Sequence, residues 1–220
     1  MDYTIKEYPQ LQFGSVYCIG RNYARHIKEM KSRQTEEPVV FLKPRSSLLF
    51  NEETIQLPRR SSTVHHEVEL VLLIGQEVKN CTVADALKFI RAIAVGIDVT
   101  ARDIQSAAKS NGLPWTLSKG LNTFAPVGNF VEFNSSIDLQ NLNIRIHVNG
   151  EVRQDGNTLN MLFSPSDIIS YLSHHFTLNP GDLIFTGTPD GVSPIVDGDV
   201  VEASIGNQLS TLKVYVQSSI

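Results

Sequence analysis

The stretch "VHHEVELVLLIG", residues Val64 to Gly75, constrains the fold more than any other part of this 220-residue chain. It reads as one buried β-strand. Side chains alternate across a strand, so Val68, Leu70, Leu72 and Ile74 share one face. Glu67, Glu69, Val71 and Leu73 share the other. The first face belongs in a core. The second turns apolar after Glu69 and is therefore covered as well, at least at its far end. Two readings of the acids follow. Either they are solvated on an exposed strand end, or they are partly enclosed. Enclosed carboxylates about 4 Å apart repel by about 4 kcal/mol at an effective dielectric near 20. A proton on one of them, or a cation between them, must then offset that repulsion. Oxygen ligands favour Mg²⁺, Mn²⁺ or Ca²⁺ over zinc, and a third carboxylate is needed to complete a site.

The rest of the chain is mostly short, β-branched runs bounded by Gly, Pro or Asn. They are "GSVYCIG", "PVVFL", "AIAVGIDV", "NIRIHVNG", "DLIFTG" and "LKVYV". Asn149-Gly150 marks a hairpin turn. Helices are fewer. Thr82 and Asp85 open "TVADALKFI", with Val83, Leu87 and Ile90 on one face. Ser164, Pro165 and Asp167 open "SPSDIISYLSHHF". Tyr23, Ile27 and Met30 form a stripe in "RNYARHIKEM". Strands and helices do not alternate regularly, so the expected class is α+β, predominantly β, with peripheral helices and one domain over residues 1–220. The net charge of −4 and the lack of a basic tract argue against nucleic-acid binding. The longest apolar runs, of about eight residues, are too short to span a bilayer, and no secretory signal is read. Cys18 and Cys81 lie in apolar contexts and give no disulfide framework, which fits a cytoplasmic protein.

Asp98 interrupts the apolar run "AVGIDVTARD" and is the candidate third acid. Thr100 is the expected cap of a following helix, with Asp103 three residues on. Arg102, Gln105 and Lys109 then fall on one helix face. That face is either solvated or part of an anion and metal corner. His26 and Glu29 are neighbours on a helix surface, where the glutamate can orient the imidazole. The charged, proline-closed stretch that follows them suggests a mobile lid around residues 21–38.

Taken together, these motifs resemble the fumarylacetoacetate hydrolase superfamily, in its small single-domain branch of acylpyruvate hydrolases and oxaloacetate decarboxylases. The similarity rests on "GRNYARH", "FLKP", "HHEVEL", "DVTARDIQ", "GLPWTLSKG", "VNGEVRQ" and "GDLIFTGTPDGV", in that order along the chain. The resemblance implies a mixed β-roll or sandwich. It implies Glu67, Glu69 and Asp98 as ligands of Mg²⁺ or Mn²⁺, with Arg21 and Asn22 where larger relatives carry a fourth carboxylate. It implies Arg102 and Gln105 as substrate and enolate contacts, Lys119 as the active-site lysine and Thr188 as the residue binding the substrate carboxylate. His26 would be a general base oriented by Glu29. For Lys119 and Thr188 the residues alone equally allow a solvated loop lysine and a turn-stabilising hydroxyl. His65, His66, His174, His175 and Trp115 are assigned no chemistry.

The implied reaction is metal-dependent cleavage of the C–C bond of a small anionic β-diketo acid, an acylpyruvate or fumarylpyruvate-like compound. Its products are pyruvate and a carboxylic acid, reached through an enolate. Oxaloacetate decarboxylation and hydroxymuconate-type isomerisation pass through the same kind of anion and stand as alternatives. A metal-stabilised binding protein without catalysis is the alternative of another class. Relatives of this kind commonly form homodimers, the expected assembly.

Overall fold

A computed structural model describes residues 4–219. The fold is α+β and mostly strand, as the run pattern predicts. Its centre is a six-stranded mixed sheet. The order across it is Val131–Glu132, Ile90–Ile97, Val68–Ile74, Leu183–Phe185, Val16–Gly20 and Val39–Lys43. A second, five-stranded sheet runs Glu151–Asn157, Asn143–Val148, Val200–Ile205, Ser210–Ser218 and Thr54–Leu57. Among the described residues four α-helices lie outside the sheets: α1 Ala24–Glu29, α2 Arg102–Ser110, α3 Thr116–Lys119 and α4 Pro165–His175.

The alternation of Val68–Ile74 explains how the sheets pack. Leu70, Leu72 and Ile74 join Ile144, Ile146, Val201 and Val214 in the larger core, between the two sheets. Val71 and Leu73 point the other way, into a second cluster with Cys18, Phe13 and Phe185. Every residue from Val68 to Ile74 is buried. Each aliphatic side chain withdrawn from water in this way contributes about 1.5–3 kcal/mol. Gly96, across the ladder from Glu69, is required by this packing. A Cβ there would lie 2.5 Å from Val71 Cγ2 and 2.7 Å from Phe185 Cε1.

One strand expectation needs correction. The stretch from Val64 is two strands, Val64–His66 and Val68–Ile74, broken at Glu67. The first pairs with Thr100–Ala101 and Ser193–Ile195 in a small three-stranded sheet. The second pairs with Ile90–Ile97 and Leu183–Phe185 in the central sheet. The chain passes from one sheet to the other at Glu67. The neighbouring strand makes the same passage at Asp98, whose N–H donates to the Glu67 carbonyl at 2.8 Å. The third strand crosses through residues 186–192. Glu67, Asp98 and Thr188 therefore meet along one seam.

The local signals vary in outcome. Ser164 and Asp167 form a reciprocal capping box on α4. Asn149 and Gly150, at φ 53° and 81°, close the hairpin between Asn143–Val148 and Glu151–Asn157. The segment after Thr82 is a turn and a short 3₁₀ stretch, Ala86–Phe89, rather than an α-helix. Val83 is exposed and Ile90 already belongs to a strand. Thr100 is not a cap. It lies in a strand, its hydroxyl donates to the Asp98 carbonyl, and α2 begins after Ala101. No helix is long and apolar enough to cross a membrane among the described residues. Both cysteines are free and buried.

Candidate active site

At the seam, oxygen atoms of Glu67, Glu69 and Asp98 lie within 4.8 Å of one another. The three residues are 5%, 1% and 2% exposed, so water does little to screen them. Lys119 Nζ, raised into the site by the single turn of α3, donates to Glu67 Oε2 at 2.8 Å and to Asp98 Oδ2 at 2.5 Å. Arg102, in the first turn of α2, pairs with Glu67 Oε1 and donates from Nη1 to Gln105 Oε1 at 2.7 Å. Gln105 thus uses its carbonyl oxygen on Arg102, leaving its amide NH₂ for a ligand. The guanidinium Nε of Arg102 is buried without a partner.

Burial alone would raise the pKa of Glu67, but the Lys119 and Arg102 charges outweigh it and hold the carboxyl well below its usual range. Glu69 is the opposite case. Burial raises it, and the neighbouring Asp98 and Glu67 charges raise it further. Among the described residues its one hydrogen-bond donor is the Gly187 N–H, 2.7 Å from Oε2. Gly187 adopts φ +100°, and a Cβ there would lie 2.6 Å from Asn22 Cβ. A buried carboxylate beside two others, with no cation of its own, is a position a divalent cation would relieve. The all-oxygen donor set suits Mg²⁺ or Mn²⁺. The residues present therefore fit such an ion. Burial lowers the pKa of Lys119, but Asp98 and Glu67 outweigh that and raise it, so the ammonium keeps its proton.

The sequence reading gave Lys43 no role. Its side chain is enclosed, with Nζ 2.8 Å from Asp98 Oδ1. It also donates to the carbonyls of Val99 (3.1 Å), Lys119 (2.5 Å) and Phe124 (2.7 Å). One ammonium thus fixes an acid of the triad and the backbone of the turn that carries Lys119. Its only sequence trace was a lysine closing an apolar strand. Gln154 was missed too. Its Oε1 accepts from the Val68 N–H at 3.0 Å and bonds His66 Nδ1, and its Nε2 donates to Thr188 Oγ1 at 2.9 Å. Three carboxylates here face three cations, Lys43, Arg102 and Lys119. A dication would leave two positive charges for an anionic ligand.

The pocket over the triad is lined by Arg21, His26, Arg102, Gln105, Lys109, Trp115, Lys119 and Thr188. His26 is 8% exposed, and its Nδ1 lies 3.1 Å from Glu29 Oε2. Glu29 Oε1 accepts from the Gly191 N–H at 3.1 Å, which ties α1 to the loop carrying Thr188. The Thr188 hydroxyl donates to the Val68 carbonyl at 2.8 Å besides accepting from Gln154. Asn22 is set apart from the other expected substrate contacts, Arg21, Arg102 and Thr188, which line the pocket. Its side chain clamps backbone groups of Phe163 and Thr186 at 2.7–3.0 Å, and it does not line the pocket. Trp115 supports Lys119, whose N–H donates to its carbonyl at 3.0 Å.

The sequence model of the fumarylacetoacetate (FAA) hydrolase C-terminal family matches residues 15–217. The mitochondrial oxaloacetate tautomerase FAHD1 of Arabidopsis thaliana is 45% identical over 190 residues, covering 86% of this chain and 85% of the relative. The mitochondrial oxaloacetate decarboxylase of Dictyostelium discoideum is 42% identical, covering 86% and 88%. The crystal structure of fumarylpyruvate hydrolase from Pseudomonas aeruginosa, in complex with Mn²⁺ and pyruvate, superposes with a TM-score of 0.92 at 32% identity. That match covers 100% of this chain and 96% of the other.

Proposed function

Because this chain belongs to the fumarylacetoacetate hydrolase family, we propose that it hydrolyses the C–C bond of an acylpyruvate to give pyruvate and a carboxylic acid. The reading rests on one observation above others. His26, held through Nδ1 by Glu29, opens onto the same pocket as the carboxylate triad, Lys119, Arg102 and Gln105. A divalent cation held by Glu67, Glu69 and Asp98 would supply Lewis-acid polarisation at the 2-oxo acid end of the substrate.

The chain's own groups do the rest. Arg102 and the free NH₂ of Gln105 hold the 2-oxo acid end, with the N–H groups around Thr188 on its far side. The helix α1 and the segment after it exclude bulk water. His26, fixed through Nδ1 by Glu29, takes a proton at Nε2 from a water that attacks the distal carbonyl carbon. The bond from that carbon to the methylene breaks, and its electron pair passes to the pyruvate half as an enolate. Lys119 keeps its proton under the influence of Asp98 and Glu67, so it donates to the enolate oxygen and does not act as a base. The proton taken up by His26 returns to the former methylene carbon and yields pyruvate. We propose a cytoplasmic homodimer as the working assembly; a single-chain mass by light scattering would count against the dimer.

The experiment is the ultraviolet bleaching of an enolised acylpyruvate mixed with protein and Mg²⁺ or Mn²⁺. Steady loss of absorbance that EDTA abolishes is expected. A flat trace with every acylpyruvate, and no action on oxaloacetate, would leave only a binding protein. A second reading, enolisation or decarboxylation of oxaloacetate, is favoured by the names of the tautomerase and decarboxylase relatives. It reaches the same kind of enolate without an attacking water. His26→Ala separates the two. Hydrolysis should fall about a hundredfold or more, and oxaloacetate decarboxylation much less. Equal losses would remove His26 as the base toward water.

A further inference from the structure

The strand Glu151–Asn157 lies at the edge of the five-stranded sheet, and Gln154 is its one buried residue, 1% exposed. Its register against Asn143–Val148 slips between Ile146 and His147, which leaves Arg153 as an extra residue in the strand. A bulge of this kind re-aims the neighbouring side chain, and the side chain of Gln154 reaches into the seam. Two glycines bring the loop that carries Thr188 against this strand. A Cβ at Gly156 would lie 2.6 Å from Pro189 Cβ, and one at Gly191 would lie 2.5 Å from the Arg153 carbonyl oxygen. Strand and loop therefore touch on both sides of Gln154.

The directions of its hydrogen bonds are set by groups that can act in only one way. The Val68 N–H can only donate, and it reaches Gln154 Oε1 at 3.0 Å. The Pro189 carbonyl can only accept, and it receives Gln154 Nε2 at 2.9 Å. His66 Nδ1, 2.9 Å from the same Oε1, is therefore a protonated ring nitrogen. The other N–H of Nε2 goes to Thr188 Oγ1 at 2.9 Å. That hydroxyl accepts there and spends its single proton on the Val68 carbonyl at 2.8 Å. His66 and Val68 flank Glu67, so one amide oxygen pins the chain on both sides of the acid where it passes between the sheets. Thr188 lines the pocket with no hydroxyl proton left to give. What it offers a ligand carboxylate is its backbone N–H, which makes no hydrogen bond among the described residues. Gln154 itself does not line the pocket.

We propose that Gln154 is a positioning residue of the site. It touches no ligand, and it holds the Glu67 carboxylate and the Thr188 N–H in register with each other. The proposal rests on the reading given above only in taking a 2-oxo acid as the ligand of the seam.

Two binding measurements test it without turnover. Gln154→Met cuts all four bonds. Gln154→Glu keeps an acceptor for Val68 and His66 and gives up both donations. Mn²⁺ binding, read from the loss of the free ion's electron paramagnetic resonance signal, should weaken at least fivefold in Gln154→Met and should not weaken in Gln154→Glu. Pyruvate binding to the Mn²⁺-saturated protein, read by titration calorimetry, should weaken at least tenfold in both variants. Most of that loss should vanish when each change is made beside Thr188→Val, because coupled residues do not add. Wild-type Mn²⁺ affinity in Gln154→Met overturns the hold on Glu67. A pyruvate loss that persists in full beside Thr188→Val overturns the hold on Thr188. If Gln154→Met does not fold, Gln154→Glu decides alone, and weakened Mn²⁺ binding or a pyruvate loss independent of Thr188 overturns the proposal. The two readings fail separately. Binding of this pattern in a protein that cleaves no acylpyruvate keeps the positioning role and removes the hydrolase. Cleavage with binding that ignores Gln154 does the reverse.

Discussion

Asp98 and Glu69 are both buried acids of one triad, yet the protein surrounds them differently. Asp98 has Lys43 at 2.8 Å and Lys119 at 2.5 Å. Glu69 has a single backbone N–H. Opposite responses to substitution follow. Lys43→Met would leave Asp98 short of a counter-charge and strand three buried carbonyls. Breaking a buried ion pair from one side costs about 3–5 kcal/mol, so a loss of this order is expected in denaturant unfolding. Unchanged unfolding would mean that water takes over the role of Lys43. Glu69→Gln abandons no cation, so the metal-free protein should melt within a few degrees of the wild type. It should, however, lose the rise in melting temperature that Mg²⁺ or Mn²⁺ gives the wild type. A full metal-induced rise in this variant would take Glu69 out of the ligand set. The residue scale also shows what a sequence withholds. The E-x-E spacing exposes two candidate ligands, because a carboxylate in an apolar strand is conspicuous. Lys43 acts on groups at positions 98, 99, 119 and 124, and no pattern local to "FLKP" carries that information.

Among the elements, α2 positions Arg102 and Gln105, and its start is fixed by a long-range contact. Asp103 accepts from Ser61 Oγ at 2.5 Å, Ser62 N at 2.8 Å and Ile104 N at 2.9 Å. Burial would raise its pKa, but these bonds prevail and lower it to about 2. A depressed folded-state pKa adds stability above the ordinary aspartate range, and that stability is lost as pH falls through the folded value. Asp103→Asn should therefore melt below the wild type at pH 7, with the gap closing between about pH 4 and pH 2. A gap independent of pH would mean the carboxylate charge is not what holds the 61–62 loop. The sequence placed α2 correctly but chose Thr100 as its cap, because cap rules see only adjacent residues. The same rules succeeded at Ser164, where cap and partner lie three apart. They overran at Thr82, where the tie to Asp85 forms but the chain is drawn into the strand beginning at Ile90. Glu67 was legible as an acid, but not as a strand break, since no glycine, proline or turn residue marks the passage from His66 to Val68.

For the whole molecule, the decisive contrast is between the seam and its cover. The triad sits where strands pass between two sheets, in a core buried on both faces. Its donors are therefore held rigidly before any ligand arrives, which is what electrostatic catalysis needs. The cover is held by far less. The segment 21–38 is tied down by the Asn22 clamp, a backbone bridge from Tyr23 to Met161, the Glu29 bond to Gly191 and an exposed bond from Tyr171 to Glu37 at 3.2 Å. Local opening follows buried contact and hydrogen-bond density, so its free energy should differ sharply between the two parts. Amides of residues 24–30 are expected to exchange with deuterium orders of magnitude faster than those of 68–74 and 90–97. Pyruvate with Mg²⁺ should slow the first set and leave the second unchanged. Glu29→Ala cuts both the His26 and the Gly191 contacts, so it should abolish that slowing while the strands stay protected. Protection of 24–30 that already matches the strands in the free protein would mean the cover does not open, and the lid would have to be abandoned while the triad stood.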